Sequence, residues 1–198
     1  MPTDATAHPG YALPDLWHHG WYRWAHHVPS PNFGARPAAA LIDLAVIHSI
    51  SLPPGQYGTG AVQALFTNVL NWDAHPYFAR IRGLRVSAHF FIARNGSVWQ
   101  FVSADARAWH AGVSQYRGRD NCNDDSIGIE LEGLEGDPFE AVQYQALAAL
   151  LHALAQAYPL RHVAGHEHIA PGRKADPGVG FCWKTLRANT ADLALQFP

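Results

Sequence analysis

Residues 126–133 read SIGIELEG, and this strict alternation of apolar and other residues is typical of a β-strand. The apolar members are predicted to share one face of the strand: Ile127, Ile129 and Leu131. The opposite face carries two carboxylates, Glu130 and Glu132. Paired carboxylates can perform acid–base chemistry, but they also lie on solvated strand faces. The spacing alone leaves open which glutamate, if either, is functional.

The segments on either side of this strand predict a domain that mixes strands with helices. Before it, residues 87–102 predict a β-hairpin, because the Asn-Gly pair at 95–96 favours a tight turn. After it, residues 138–158 predict a long helix with an apolar stripe. Asp137 is the predicted cap of that helix, and Glu140, three residues later, completes a pattern that resembles a capping box.

Apolar runs further from this strand extend the same mixed pattern. Residues 41–50, LIDLAVIHSI, predict a buried strand with His48 near its end. Further helices are predicted near 61–70 and 184–195, whereas residues 162–183 are predicted to be rich in loops. This order of elements favours an α/β or α+β fold with one central sheet.

The composition excludes several classes of protein. With 48% hydrophobic and 15% charged residues among 198, the chain is predicted to fold as one globular domain rather than remain disordered. The net charge of −2 offers no basic excess to neutralise phosphates, so nucleic acid is not an expected partner. Two cysteines are too few for a disulfide framework.

The N-terminal residues and the hydropathy pattern bear on location. Residues 1–20 contain no Lys or Arg and no apolar block, so we interpret them as an extension of a domain at 21–198 rather than as a secretory signal. No apolar run approaches the roughly 18–20 residues needed to span a bilayer. These features favour a cytoplasmic protein without a membrane partner, and they predict no oligomeric state.

Histidines are the first candidates for chemistry. His48 lies within an apolar strand, where an imidazole must be hydrogen-bonded or ligated. Other candidates share one loop-rich stretch: His162, His166, His168, Lys174 and Asp176. Such a loop can present a histidine and a carboxylate to a metal, and catalytic zinc commonly takes three protein ligands. A purely structural role is the alternative for each histidine.

A long polar stretch at residues 103–125 is a second candidate, because a loop of this length in a compact domain is usually functional or mobile. Within it, Trp109 is placed to stack on a sugar ring. Packing of this tryptophan at the lip of the core is the alternative interpretation. The residues alone do not separate the two.

Taken together, six blocks of the chain resemble the AmpD-like branch of the bacterial zinc amidases, a family that includes peptidoglycan recognition proteins and phage T7 lysozyme. The blocks are VPSPNFGARP, VIHSISLPPG, ALFTN, HPYFARIRGLRVSAHFFI, RAWHAGVSQYRGRDNCNDDSIGIELEG and GHEHIAPGRKADPG. They run in the family's order and cover roughly residues 20–187. The resemblance implies a mixed central β-sheet flanked by helices, with a zinc site at one end of the sheet.

The same resemblance implies a role for five residues. It makes His48, His166 and Asp176 the ligands of a Zn²⁺ ion. It makes Glu130, rather than Glu132, the catalytic acid and base. It makes Lys174 the residue that stabilises the oxyanion of the transition state.

The implied reaction is hydrolysis of the amide bond between the lactyl group of (1,6-anhydro-)N-acetylmuramic acid and L-alanine. The substrate would then be a small muropeptide released during cell-wall recycling, with Arg85, Trp109 and Arg119 as candidate substrate contacts. Two alternatives stay open, a lytic amidase that acts on polymeric peptidoglycan and a recognition module that binds muropeptide without cutting it. All five implied metal and catalytic residues are present, which counts against the recognition module.

Three positions depart from the family pattern. Ser49 follows the first implied ligand where close relatives are expected to carry Asn, and Asn121 stands where they often carry Arg. Both positions are expected near the substrate, so they bear on the preferred peptide. His168 replaces the usual Asn after the second implied ligand.

Overall fold

A six-stranded mixed β-sheet organises the structure, a computed structural model that describes residues 16–198. The strands are β1 (Trp17–His18), β2 (Trp21–Tyr22), β3 (His26–His27), β4 (Phe33–Gly34), β5 (Leu44–Ile50), β6 (Phe90–Ile92), β7 (Val98–Gln100), β8 (Arg107–Ala108), β9 (Gln115–Tyr116), β10 (Arg119–Asp120), β11 (Ser126–Glu132) and β12 (His162–Gly165). The helices are α1 (Ala61–Phe66), α2 (Pro76–Arg80), α3 (Ala141–Ala157), α4 (His166–Ile169) and α5 (Trp183–Asn189).

The strand order of the large sheet is β12-β5-β11-β6-β7-β3. The first four strands run parallel, β7 is antiparallel to β6, and β3 pairs with β7 in parallel. The predicted strand at 41–50, the strand at 126–133 and the hairpin around 95–96 are all confirmed. The remaining strands form two-stranded pairs outside this sheet: β1 with β2, β4 with β8, and β9 with β10.

Both faces of the central strand β11 are buried, so neither glutamate lies on a solvated face. Its apolar side chains pack with α3 in one hydrophobic cluster. The opposite side of the sheet is covered by α1, α2 and the loops that follow β7. A strand with parallel neighbours and both faces covered places every side chain in the interior, including the polar ones.

The predicted start of α3 and the predicted end of α5 are wrong. Helix α3 begins at Ala141 and not at 138, since Phe139 packs against Phe181 and is drawn out of the helical path. Its N-cap is Glu140, whose backbone N–H donates to Gln143 Oε1 at 3.0 Å. The last helix ends at Asn189 instead of 195, because the chain turns back there toward β12.

The stretch 162–183, for which the sequence predicts loops, also contains a strand. Residues His162–Gly165 form β12, the edge strand beside β5. Gln196 lies alongside His162 in a parallel bridge, so the C-terminal residues complete this edge of the sheet. His162 and His166 therefore belong to different elements, because the strand ends at Gly165 and helix α4 starts after it.

Residues 16–20 belong to the folded domain, whereas residues 1–15 of the predicted extension lie outside the described part of the chain. Trp17 packs against the main core, and its indole N–H donates to the Ala153 carbonyl at 3.1 Å. The domain boundary predicted at residue 20 thus divides the β1–β2 pair. Across residues 16–198, no helix has the length and apolar character that a membrane crossing requires.

Arg36 ties the N-terminal segment to the centre of the molecule. Its guanidinium donates to the carbonyls of Asn123 and Asp124 at 3.2 and 2.9 Å. It also donates to the carbonyls of Ala104 and Ser126 at 3.1 and 2.9 Å. Burial lowers the pKa of Arg36 to about 10, which leaves the guanidinium charged at neutral pH.

His89, which directly precedes β6, is a buried and hydrogen-bonded histidine. Its Nδ1 accepts the Gly128 N–H at 3.0 Å, so the proton of the neutral ring lies on Nε2, which faces the Ala106 carbonyl at 3.0 Å. Burial first, and then the charge of Arg36, lower the pKa of His89 to about 3. The imidazole is therefore neutral in the folded protein at any ordinary pH.

This depressed pKa predicts a loss of stability in acid. Above pH 6.5 the contribution of His89 is complete, and it is lost as pH falls from 6.5 toward 3, because the unfolded chain binds a proton that the folded one does not. One such group adds about 1.4 kcal/mol per pH unit to the slope of unfolding free energy against pH. We expect His89→Asn to reduce the slope between pH 6 and 4 by that amount, measured by urea unfolding. An unchanged slope would contradict the assignment.

The control is His152, whose pKa is shifted in the opposite direction from that of His89. A hydrogen bond with the Ala148 carbonyl, and then Asp192, raise the pKa of His152. The stability it contributes is present below pH 6.5 and is lost as pH rises. His152→Gln should therefore leave the acid slope intact and change the slope only above pH 6.5.

Candidate metal centre

Three buried side chains converge at the carboxyl ends of β12 and β5. His48 lies near the end of β5, His166 follows directly after β12, and Asp176 lies in the loop after α4. Each offers one ligand atom, and the three atoms form a compact group. The carboxyl end of a parallel sheet is the usual location of binding sites in folds of this class.

The three ligand atoms lie slightly closer together than the ligand atoms of a tetrahedral metal site. His48 Nδ1 lies 2.9 Å from His166 Nδ1 and 3.0 Å from Asp176 Oδ2. His166 Nδ1 lies 3.1 Å from the same Asp176 oxygen. Bonds of about 2.0–2.1 Å to a tetrahedral zinc ion would separate such atoms by about 3.3 Å. The residues therefore fit a zinc ion with small adjustments.

Local sequence explains how Asp176 reaches the two histidines. A side chain at Gly165 would bring its Cβ within 2.8 Å of Pro177 Cδ and 2.9 Å of His168 Nδ1, so the absence of one lets the loop fold back against β12. The Glu167 N–H then donates to the Asp176 carbonyl at 2.9 Å. This hydrogen bond holds the carboxylate beside the start of α4.

The protonation states suit a cation. Burial lowers the pKa of His48 to about 4, so its imidazole is neutral at pH 7. Burial alone would raise the pKa of Asp176, but its contacts with the imidazoles of His166 and His48 outweigh burial and lower that pKa. A neutral imidazole beside an ionised carboxylate is the donor chemistry of a catalytic zinc site.

Glu130 lies beside this cluster because of strand register. It is paired directly with His48 across the parallel strands β11 and β5, which puts both side chains on one face of the sheet. Its Oε2 is buried and has no hydrogen-bond partner among residues 16–198. Burial raises the pKa of Glu130 well above its usual range; the Asp176 charge raises it further, and Lys174 opposes this. Carboxyl groups with a raised pKa in a cleft are candidates for proton exchange.

Glu132 has a different environment, although it lies two residues further along the same face. Its two carboxylate oxygens accept the backbone N–H groups of Gly58 at 2.5 Å and Arg94 at 3.1 Å. Glu132 therefore joins two loops to the end of β11. Its hydrogen-bonding capacity is used in the fold, whereas Oε2 of Glu130 has no hydrogen-bond partner in the described part of the chain.

A cleft of about 450 Å³ opens over the three ligand atoms. One side is polar and holds the cluster, Glu130 and the exposed Lys174. Apolar and aromatic residues form much of the remaining wall: Leu52, Leu65, Tyr77, Ile81, Val86 and Trp109. Such a cleft can hold a molecule with a hydrophobic or ring face and a hydrolysable polar group.

The candidate substrate residues are placed differently from one another. Trp109 lines the cleft. Arg85 is exposed next to the lining residue Val86, with no hydrogen bond or ion pair to any residue between 16 and 198. Arg119 lies outside the lining, and its guanidinium contacts Asp43 at 2.7 Å and Asp125 at 2.9 Å. The structure thus gives Arg119 a bridging role within the fold and does not bring it to the cleft.

The three positions that depart from the family pattern also differ in their location relative to the cleft. Ser49 lines the cleft beside His48. Asn121 does not; its amide donates to Asp124 at 2.9 Å and its oxygen accepts from Arg107 at 2.9 Å. His168 Nδ1 accepts the Gly165 N–H at 3.0 Å, so it supports the turn into α4 and is not part of the cluster.

A further histidine, which the sequence patterns do not single out, lies near the centre. His110 Nδ1 lies 2.9 Å from His48 Nε2, on the side of the ring away from the cluster. Burial lowers the pKa of His110 well below its usual value. The signal available in the sequence was Gly128, because a glycine inside an otherwise regular strand indicates that another group approaches its backbone.

Comparison with known proteins gives consistent results. The model of the N-acetylmuramoyl-L-alanine amidase family matches residues 38–179. The 1,6-anhydro-N-acetylmuramyl-L-alanine amidase AmpD of Escherichia coli K12 is 51% identical over 170 residues, 85% of this chain and 93% of that protein. The corresponding enzyme of Citrobacter freundii is 52% identical over 171 residues, 85% of this chain and 91% of that protein.

Solved structures of related amidases have the same fold as this chain. A crystal structure of a selenomethionine AmpD derivative has a TM-score of 0.84 and 50% identity, covering 88% of this chain and 98% of that one. The E. coli amidase AmiD, solved with the substrate anhydro-N-acetylmuramic acid-L-Ala-D-gamma-Glu-L-Lys, has a TM-score of 0.54 and 31% identity, covering 78% and 60%. The fold implied by the sequence resemblance is therefore confirmed.

Proposed function

This chain belongs to the N-acetylmuramoyl-L-alanine amidase family, and we propose that it hydrolyses the bond between the lactyl group of 1,6-anhydro-N-acetylmuramic acid and L-alanine. The enzyme class follows from family membership and from relatives at about 50% identity. The choice of the anhydro substrate is supported by the names of those relatives. We place the reaction in the cytoplasmic recycling of cell-wall fragments, as the resemblance implies.

One observation carries the proposal: a carboxyl oxygen of Glu130, with no hydrogen-bond partner among the residues described, belongs to the same cleft as the three converging ligand atoms. A binding module has no need to bury a carboxyl of raised pKa beside a metal site. Hydrolysis needs a group that accepts a proton from water and returns it to the leaving amine.

We propose that His48, His166 and Asp176 hold a zinc ion. Two neutral imidazoles and one carboxylate would give the Zn²⁺ site a net charge of +1. They would leave one coordination position for other groups. When bound, zinc supplies Lewis-acid chemistry that polarises a carbonyl and favours ionisation of water near neutral pH.

Glu130 is the proposed proton carrier. Its carboxylate takes a proton from the attacking water, and the resulting carboxylic acid gives that proton to the L-alanine nitrogen as the amide bond breaks. Burial and, after it, the nearby Asp176 raise the pKa of Glu130, which favours uptake of the proton from water.

Lys174 and two residues at the rim complete the proposed site. The ammonium of Lys174 lines the cleft and would stabilise the negative charge that develops on the lactyl oxygen. Trp109, on the apolar wall, would cover the sugar ring. Arg85, beside that wall and without an ion-pair partner among residues 16–198, would meet a peptide carboxylate.

The test is mass spectrometry of reaction mixtures with two substrates. We expect the protein to release free stem peptide from a 1,6-anhydro-muropeptide, to lose this activity with a chelator and to regain it with added zinc. Intact peptidoglycan should be cut far more slowly. Rapid release from the intact wall would instead indicate a lytic amidase. Tight binding of the anhydro-muropeptide by zinc-loaded protein without release of peptide would indicate a recognition module.

A further inference from the structure

We propose that His110 and Ala111, two adjacent residues of the loop between β8 and β9, fix the proton position and orientation of both histidines of the metal centre. The inference rests on the proposed metal centre. It makes His110 a positioning residue, which acts on the ion only through His48.

On the His48 side, the direction of a chain of hydrogen bonds is set at its far end. The Ser126 hydroxyl lies against the Cys122 carbonyl, which can only accept, so the hydroxyl donates there. Its lone pair then accepts from His110 Nε2 at 3.2 Å. The neutral His110 ring therefore has an unprotonated Nδ1, which accepts from His48 Nε2 at 2.9 Å.

This chain determines which nitrogen of His48 is free. With its proton on Nε2, the neutral ring presents the lone pair of Nδ1 to the cluster, where it lies 3.0 Å from Asp176 Oδ2. A donor at the position of His110 Nδ1 would reverse the chain and put the proton of His48 on the nitrogen that must bind the metal.

On the His166 side, the same loop acts through its backbone. His166 Nε2 lies 3.0 Å from the Ala111 carbonyl, which can only accept. The proton of His166 is therefore also on Nε2, and its Nδ1 presents a lone pair to the cluster. Arg173 donates to the same carbonyl at 2.7 Å, which holds this acceptor in place.

The loop that makes both contacts is itself fixed at two points. The side-chain oxygen of Asn123 accepts the N–H groups of both His110 and Ala111, at 3.0 and 2.8 Å. A Cβ on Gly128 would lie 2.3 Å from His110 Cγ, so the glycine of the central strand leaves the space that the ring fills. Both outer partners of the metal ligands thus depend on one anchored dipeptide.

The direct test measures zinc affinity, not catalysis. Zinc-loaded protein is titrated with a chromophoric chelator for the wild type, His110→Leu and His110→Asn. We expect His110→Leu to weaken zinc binding by roughly 10–100-fold, the usual effect of removing a partner of a ligand histidine. His110→Asn should recover much of this loss, because its amide oxygen can accept from His48 Nε2. Equal zinc affinity in the wild type and His110→Leu would overturn the proposal.

A matched control separates this effect from general damage to the core. His162, the first residue of β12, is another buried histidine, and it lies outside the cluster. His162→Leu should lower thermal stability without changing the zinc dissociation constant. A loss of zinc affinity as large as that of His110→Leu would show that any buried histidine suffices, and the proposal would fail.

A double-mutant cycle tests the role of the glycine. Gly128→Ala should weaken zinc binding when His110 is present, because the new methyl group displaces its ring. In the His110→Leu background the same change should have a much smaller effect on zinc affinity. Additive effects would contradict the proposed mechanism.

Imidazole ¹H–¹⁵N correlation spectra of the zinc-loaded wild type provide a measurement that needs no variant. We expect the ring protons of His48 and His166 on Nε2, and scalar coupling from the His48 proton to a His110 nitrogen. A proton on Nδ1 of either ligand would overturn the proposal whether or not hydrolysis is observed, so failure of the inference and failure of the proposed function are distinguishable.

Discussion

Replacement of Glu130 by glutamine is expected to lower kcat on the anhydro-muropeptide by roughly 10²–10⁴-fold, the usual contribution of a positioned proton carrier. Glutamine keeps the size of the side chain but can neither take a proton from water nor deliver one to the leaving amine. The side chain is not one of the three ligands, so the zinc content of the purified protein should remain at the wild-type level.

Glu132→Gln is the matched control for this variant. It makes the same chemical change two residues along the same strand face, where the carboxylate holds the backbone of Gly58 and Arg94. We expect lower thermal stability and less than a tenfold change in kcat. Steady-state kinetics and metal analysis of both variants give the answer. Equal losses of kcat, or a near-wild-type rate for Glu130→Gln, would remove Glu130 from the mechanism.

Lys174→Gln is expected to lower kcat by roughly 10²–10³-fold, the loss found when one stabilising donor is removed from a developing oxyanion. A second effect distinguishes this role from simple substrate binding. The positive charge of Lys174 lowers the raised pKa of Glu130, so its removal raises that pKa further. The acid limb of the kcat/KM profile should therefore move to higher pH.

The chain provides a natural control, because Lys184 is its second and last lysine. Lys184→Gln should leave both kcat and the pH profile unchanged, and Lys174→Arg should keep the position of the acid limb by retaining the charge. The comparison requires kcat and kcat/KM of the wild type and the three lysine variants, measured from pH 5 to 9. A rise in KM for Lys174→Gln with an unchanged kcat would show that the ammonium binds the ground state and does not stabilise the transition state.

The parts of the fold that could be predicted are those whose pattern is local. Strands β5 and β11 and the turn at 95–96 carry their signals within a few residues. Strand β12 has four residues and ends in glycine, so it lacks a readable period and exists because β5 offers an edge to pair with. The start of α3 was misplaced for a similar reason, since the contact of Phe139 with Phe181 joins segments 42 residues apart.

The same distinction between local patterns and long-range contacts applies to the candidate site. The residues alone left His48 and the 162–176 stretch as open possibilities, and the family resemblance made the choice among them. The pairing of Glu130 with His48 follows from the register of two strands that lie 82 residues apart in the chain, which no spacing rule supplies. Arg119 was expected at the substrate, but its ion pair with Asp43 bridges 76 residues and was not readable from its neighbours.

The environment of Arg36 has a consequence for how this protein is divided. The region that matches the family model starts at residue 38, two residues after the guanidinium that four interior carbonyls share. A chain cut to the matched region would leave those carbonyls facing one another around an empty space, next to the strand that carries Glu130. The region that the family model matches is therefore shorter than the region that a stable fold requires.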